Sequence, residues 1–166
     1  MGYRNNDIEK TSWDGQAGDI PPCLIRVDKD GRLWHQGAEM THSGINRLLM
    51  EHVELDDQGR YIIVFQGQRC LVDVEDTFFV IRRVERVTSS NGRTECFTIT
   101  LNDESSETLD PSTLRQNEDH VPYAQIKRGR FPARFTRQSY YQLAAHVIEK
   151  DGVFLLPVGD REYRIA

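Results

Sequence analysis

The chain has 166 residues, 38% hydrophobic and 28% charged, a globular composition with room for one ordinary domain or two small ones sharing a core. No apolar run nears the roughly 18 residues of a membrane helix, and the opening MGYRNNDIEKTSWDGQAGD lacks the apolar centre of a secretory signal. The net charge of −5 is uneven: residues 1–119 carry 13 Lys/Arg against 22 Asp/Glu, whereas residues 120–166 carry 8 against 4.

Residues 1–20 are polar, without periodicity, and are expected as a flexible N-terminal tail ended by Pro21-Pro22. Residues 21–101 are expected as an N-terminal α+β half. CLIRV reads as a strand, DKDG as a turn and RLWHQ as the returning strand. Ile45, Leu48, Leu49 and Val53 then fall on one face of a helix, with Thr41 or Ser43 as its cap. RYIIVF and RCLVDV form a hairpin. TFFVIRRVERVT and RTECFTITL form a longer one through SSNG. Residues 102–120 are acidic and turn-rich and read as a linker loop. Residues 121–166 are expected as a C-terminal α+β half: strand YAQIK, strand RFPARF, a helix from Thr136, and the hairpin VFLLPV/REYRI.

The same order of elements therefore occurs twice. Thr136, Leu143, Glu149 and Asp151 repeat Thr41, Leu48, Glu54 and Asp56 without a gap. The predicted fold class is α+β: two related halves, each a curved, mostly antiparallel sheet with one helix, an internal structural duplication. Two units do not make a solenoid; they cover each other's apolar surfaces.

Chemistry is sparse. There is no GxSxG, no HExxH, no phosphate-binding glycine loop and no dinucleotide fingerprint. His35, His42, His52, His120 and His146 are scattered, so no metal or cofactor is expected. Cys23, Cys70 and Cys96 are odd in number and form no CxxC, which predicts three free thiols in a reducing, cytoplasmic setting. The carboxylates Glu75 and Asp76, with His35, are the pattern an enzyme would use. KRGRFPARFTR, residues 127–137, interleaves basic and aromatic residues. Such a segment suits a nucleic acid, a small anion or an acidic partner, or is a solvated face. An acidic protein overall makes nucleic acid the weakest of these.

The strings DGRLWHQG, VDVEDTFF, PYAQIKRG and TRQSYYQLAAHV together resemble a bacterial family known as a domain of unknown function, number twelve eighty-five. The similarity rests on Asp30, Gly31, Trp34, His35 and Gly37; on Val74, Glu75, Asp76 and Phe79; on Pro122 and Tyr123; and on Arg137, Tyr141 and Leu143. Phe78 stands where the family pattern tends to have proline. The resemblance implies a two-part α+β fold with repeated motifs and a role in signalling or ligand binding, and it carries over no catalytic residue assignments.

The sequence thus points to a non-catalytic binding or regulatory module for a small anionic ligand or an acidic protein partner. Its candidate ligand-binding residues are Arg137, Tyr141, Tyr123, His35, Trp34, Glu75 and Arg130. Arg137 leads, because a helix starting near Thr136 offers unpaired N–H groups beside its guanidinium.

Overall fold

Alternation of buried and exposed residues recurs from Pro22 onward, and strands are the main regular element among the described residues. The computed structural model describes residues 19–165. The expected tail of residues 1–20 lies outside them except for its last two positions.

In the first half, β1 (Pro22–Val27), β2 (Leu33–His35) and β3 (Ala38–Glu39) lead into helix α1 (Ser43–Glu51). The meander β4 (Val53–Leu55), β5 (Tyr61–Phe65) and β6 (Gln68–Val74) follows. The six strands form one sheet in the order β3-β2-β1-β6-β5-β4. Its one parallel pair, β1 with β6, sets Arg26 opposite Asp73.

The second half begins earlier than the sequence suggests. β7 (Phe79–Thr88) and β8 (Thr94–Leu101) leave the first sheet and build another. Residues 102–120, expected as a linker, contain β9 (Ser106–Thr108), a 3-10 turn (Pro111–Thr113) and β10 (Arg115–Gln116). Most of their acidic side chains face outward while their backbones pair, but Asp103 turns inward to Lys127. β11 (Pro122–Ile126), β12 (Phe131–Phe135) and helix α2 (Arg137–Ala144) come next. The second sheet runs β10-β11-β12-β7-β8-β9, again with one parallel pair, β12 with β7. The chain ends in β13 (Ile148–Lys150), β14 (Val153–Val158) and β15 (Arg161–Arg164), a three-stranded sheet of its own. It is tied to β8 by Gly159 N–H donating to Thr94 O at 2.9 Å.

The α+β class with two helix-bearing halves holds. The order hairpin, helix, meander runs twice, but the pairing does not. The first meander returns to its hairpin through β6, whereas the second stands apart and β7 takes the equivalent place beside β12. The caps differ as well. Thr136 Oγ1 accepts Ser139 N–H at 3.1 Å, as expected for α2. In α1 neither Thr41 nor Ser43 caps; His42 Nδ1 accepts Ile45 N–H at 3.2 Å.

Both halves share one core. Val27, Leu33, Met50 and Ile63 from the first meet Phe79, Ile81, Phe97, Leu101 and Phe131 from the second. Phe78 lies between them with no exposed surface, its ring 5.8 Å from Tyr61 and 5.3 Å from Phe79. α2 is seated on β7 by Ser139 Oγ–H donating to Ile81 O at 2.6 Å.

The cysteines correct the sequence reading. Parallel pairing of β1 with β6 brings Cys23 and Cys70 to a Cα separation of 5.0 Å, and they form a disulfide; Cys96 alone is free. A separation of 47 residues concealed the pair.

Candidate functional site

The site grows from the tight turn between β1 and β2. Asp28 Oδ1 accepts Asp30 N–H and Arg32 N–H at 3.0 and 2.9 Å, and Oδ2 accepts Trp34 Nε1–H at 2.9 Å. Burial pulls the Asp28 carboxyl upward, but these bonds and the Arg32 charge outweigh it and leave it below its ordinary value. Gly31, at φ +74°, presses this turn against the second half. There the Asn102 amide donates to Gly31 O and Phe78 O, both at 3.1 Å, and its Oδ1 accepts Val80 N–H at 2.9 Å.

Around this contact opens a cleft of about 380 Å³. Its first-half wall holds Arg32, Glu39 and the start of α1, including Ser43, Gly44 and Arg47. The N–H groups of Ser43 and Gly44 lie in the first turn, where no intrahelical acceptor exists. The helix end is thus a locally positive edge. Asn46 lines the same wall; its Nδ2 donates to Met40 O at 2.6 Å, while its buried Oδ1 meets no donor among the described residues.

The opposite wall is Arg82, Asn102, Asp103 and Glu104. Two backbone irregularities aim this wall. The β7–β8 register passes from Ile81↔Leu101 to Arg83↔Thr100, so Arg82 is an extra residue without a partner. Such a bulge redirects its side chain. Glu104 sits at φ +67° in the β8–β9 turn, a conformation that a non-glycine residue adopts under constraint.

The charges are unequal in kind. Asp103 is already committed: Oδ2 accepts from Lys127 Nζ at 2.8 Å and Oδ1 from Ser105 N–H at 2.9 Å. Burial raises its carboxyl, yet Lys127 and Ser105 bring it below the ordinary value. Arg47 reaches only its own helix neighbour Glu51, at 3.6 Å and exposed. Among the described residues Arg32, Arg82, Glu39 and Glu104 form no ion pair.

The residues expected from the sequence lie elsewhere and do not converge on one point. Glu75 accepts from Arg26 Nη2 at 2.8 Å. Asp76 accepts Tyr123 Oη–H at 2.9 Å and Arg134 Nη1–H at 2.8 Å. Burial and the Asp76 carboxylate raise the Tyr123 phenol, which remains a donor at neutral pH. Trp34 is held by Asp28, and His35 is exposed at the end of β2. Neither Glu75, Asp76 nor His35 lines the cleft.

The basic segment is partly spent inside the fold. Lys127 pairs with Asp103, Arg134 pairs with Asp76, and Phe131 and Phe135 are each 2% exposed. Arg130 lies over the Phe131 ring, 5.2 Å from its centroid. Arg137 and Tyr141 border a shallow, open depression with Gln138 and Gln142. Sequence reasoning missed Arg32, Arg47 and Arg82. The signal for Arg82 was present in FVIRRV, where four apolar residues in TFFVIRRV break strand alternation before the arginines.

No family model matches the chain, and no curated protein does. Two solved structures share its fold. One is a DUF1285 family protein from Silicibacter pomeroyi, with TM-score 0.72, 20% identity, 89% of this chain and 83% of that one covered. The other is a DUF1285 family protein from Shewanella baltica, with TM-score 0.60, 17% identity, and 74% and 91% covered. The likeness is one of fold, and it is to the family that the sequence motifs resemble.

Proposed function

We propose that the chain is a non-catalytic binding or regulatory module, with signal transduction as its setting, and that the cleft between its halves holds a small anionic ligand. One observation carries this reading: Arg32 from the first half and Arg82 from the second line a single cavity, and neither forms a salt bridge among the described residues, the Arg32 guanidinium reaching Asp28 only through its charge. Gathered cations attract an anion, and guanidinium forks hold an oxyanion through paired hydrogen bonds. A ligand held from both walls favours the arrangement in which the walls face each other, which is how binding becomes regulation.

Arg137 and Tyr141 support a second reading, an acidic protein partner. Tyr141 is 62% exposed and the surface there is open, a shape better matched to a partner's side chain than to an enclosed small molecule. A cytoplasmic setting and the Cys23–Cys70 bond pull in different directions. Structural disulfides persist in oxidising compartments, so in the cytoplasm this pair is expected as thiols. Among the described residues no helix is long and apolar enough to cross a membrane.

The test is thermal melting with phosphate, sulfate and dicarboxylates. The proposal expects at least one to raise the midpoint of the wild type, and Arg82→Ala to remove that rise. A wild type indifferent to every anion refutes it.

A further inference from the structure

We infer that the ligand of this cleft is a phosphomonoester whose other end carries hydroxyl or ammonium donors, a sugar-phosphate or amino-alcohol-phosphate class of molecule. The inference rests on the anion reading above and goes further by using the carboxylates of the same cavity.

Three arginines line the cleft, Arg32, Arg47 and Arg82, of which only Arg47 has a carboxylate within ion-pair distance, the exposed Glu51 at 3.6 Å. Asp103 does not offset them, because Lys127 holds it at 2.8 Å. A phosphate monoester brings close to two charges and three terminal oxygens to one point. That suits several forked donors plus the N–H groups of Ser43 and Gly44 better than a single carboxylate does.

Glu39 and Glu104 stand on the same lining, one from each half, without an ion-pair partner among the described residues. A ligand with a second anionic end, such as a dicarboxylate, brings like charges together there. A ligand whose far end donates hydrogen bonds satisfies them. A cavity of about 380 Å³ lies at the small end of the range for ligand sites and excludes a dinucleotide-sized molecule. The chemistry is therefore one-ended: dianion at the arginines, donors at the glutamates.

The experiment is titration calorimetry of the full chain with ribose 5-phosphate, glycerol 3-phosphate, phosphoethanolamine, inorganic phosphate, succinate and ribose. At least one of the three phosphomonoesters is expected to bind about tenfold more tightly than inorganic phosphate, the gain of one or two charge-assisted hydrogen bonds. Succinate is expected to bind more weakly than phosphate, and ribose not measurably. The double variant Glu39→Gln, Glu104→Gln should bring that phosphomonoester to within about twofold of inorganic phosphate, while phosphate itself binds no more weakly than before. If none of the three exceeds inorganic phosphate, or succinate matches the best of them, the phosphomonoester inference falls and the anion reading stands. If no anion binds, both fall.

Discussion

The Asn102 side chain donates to the Gly31 carbonyl at 3.1 Å, across 71 positions of sequence. A β-carbon on Gly31 would stand 2.6 Å from Asn102 Nδ2 and 2.9 Å from Val80 Cγ2. The halves meet at a place where only glycine fits, and where a buried amide satisfies three backbone groups at once. The same Asn102 lines the cleft, so the strut between the halves is also part of the binding wall.

Asn102→Ala should therefore destabilise the protein by roughly 2–4 kcal/mol, because Val80 N–H and the carbonyls of Gly31 and Phe78 lose a partner in a dry setting. Gly31→Ala should act in the same direction, through both the collision and the positive φ. Urea unfolding measures both. A loss below about 0.5 kcal/mol for either, the range of an ordinary surface change, contradicts the strut.

Phe78 has no exposed surface and packs between Tyr61 and Phe79. Phe78→Ala should cost about 3–5 kcal/mol, the range for emptying a buried aromatic site. A single unfolding transition is expected to survive, since one core spans both halves. Two separated transitions would show the halves to be independent.

Alkylation of unfolded, unreduced protein should label one cysteine, Cys96, and three after reduction. Protein isolated under oxidising conditions is the sample to use. Cys70→Ser should lower stability by roughly 2–4 kcal/mol, as expected for opening a loop of this length. Three adducts without reduction refute the pairing.

Asp103 has a carboxyl held below its ordinary value despite its burial, chiefly through Lys127 and Ser105. A depressed folded value gives stability that is present above the unfolded value of about 3.9 and is lost as pH falls through the folded one. Asp103→Asn should thus flatten the melting midpoint against pH on the acid side, from about pH 5 downward. At neutral pH it should cost roughly 1–2 kcal/mol, a partly buried pair being worth more than an exposed one. An acid limb as steep as the wild type's would show that Asp103 does not carry this linkage.

Much of the fold was legible because strands, turns and helix faces write themselves locally. DKDG, the existence of both helices and the SSNG hairpin read correctly, but the inward face of α1 did not: Ile45 and Leu48 are exposed, Met50 is its buried residue and Val53 belongs to β4. What escaped depends on partners far apart in sequence. Nothing near Phe79 says that β7 leaves the first sheet for β12. Nothing near Cys23 says that a parallel strand places Cys70 beside it. The acidic run 102–120 reads as solvent-loving because most of its side chains are, although Lys127 holds Asp103 inside and its backbone forms β9 and β10. The candidate site was less legible for the same reason. Arg32 and Arg82 come to line one cleft only because the halves meet at the Gly31–Asn102 contact, and each alone reads as an ordinary surface arginine.

The most direct measurement of the central claim is binding of inorganic phosphate, followed by thermal shift, in wild type, Arg82→Gln and Arg137→Gln at two salt concentrations. A ligand at about 100 times its dissociation constant stabilises by roughly 2.7 kcal/mol. For a chain of this size that is a rise of about 5–11 °C. The account predicts this rise in the wild type and in Arg137→Gln, its loss in Arg82→Gln, and a smaller rise at high salt. A rise that survives in Arg82→Gln and disappears in Arg137→Gln would move the anion to the start of α2 and contradict the cleft.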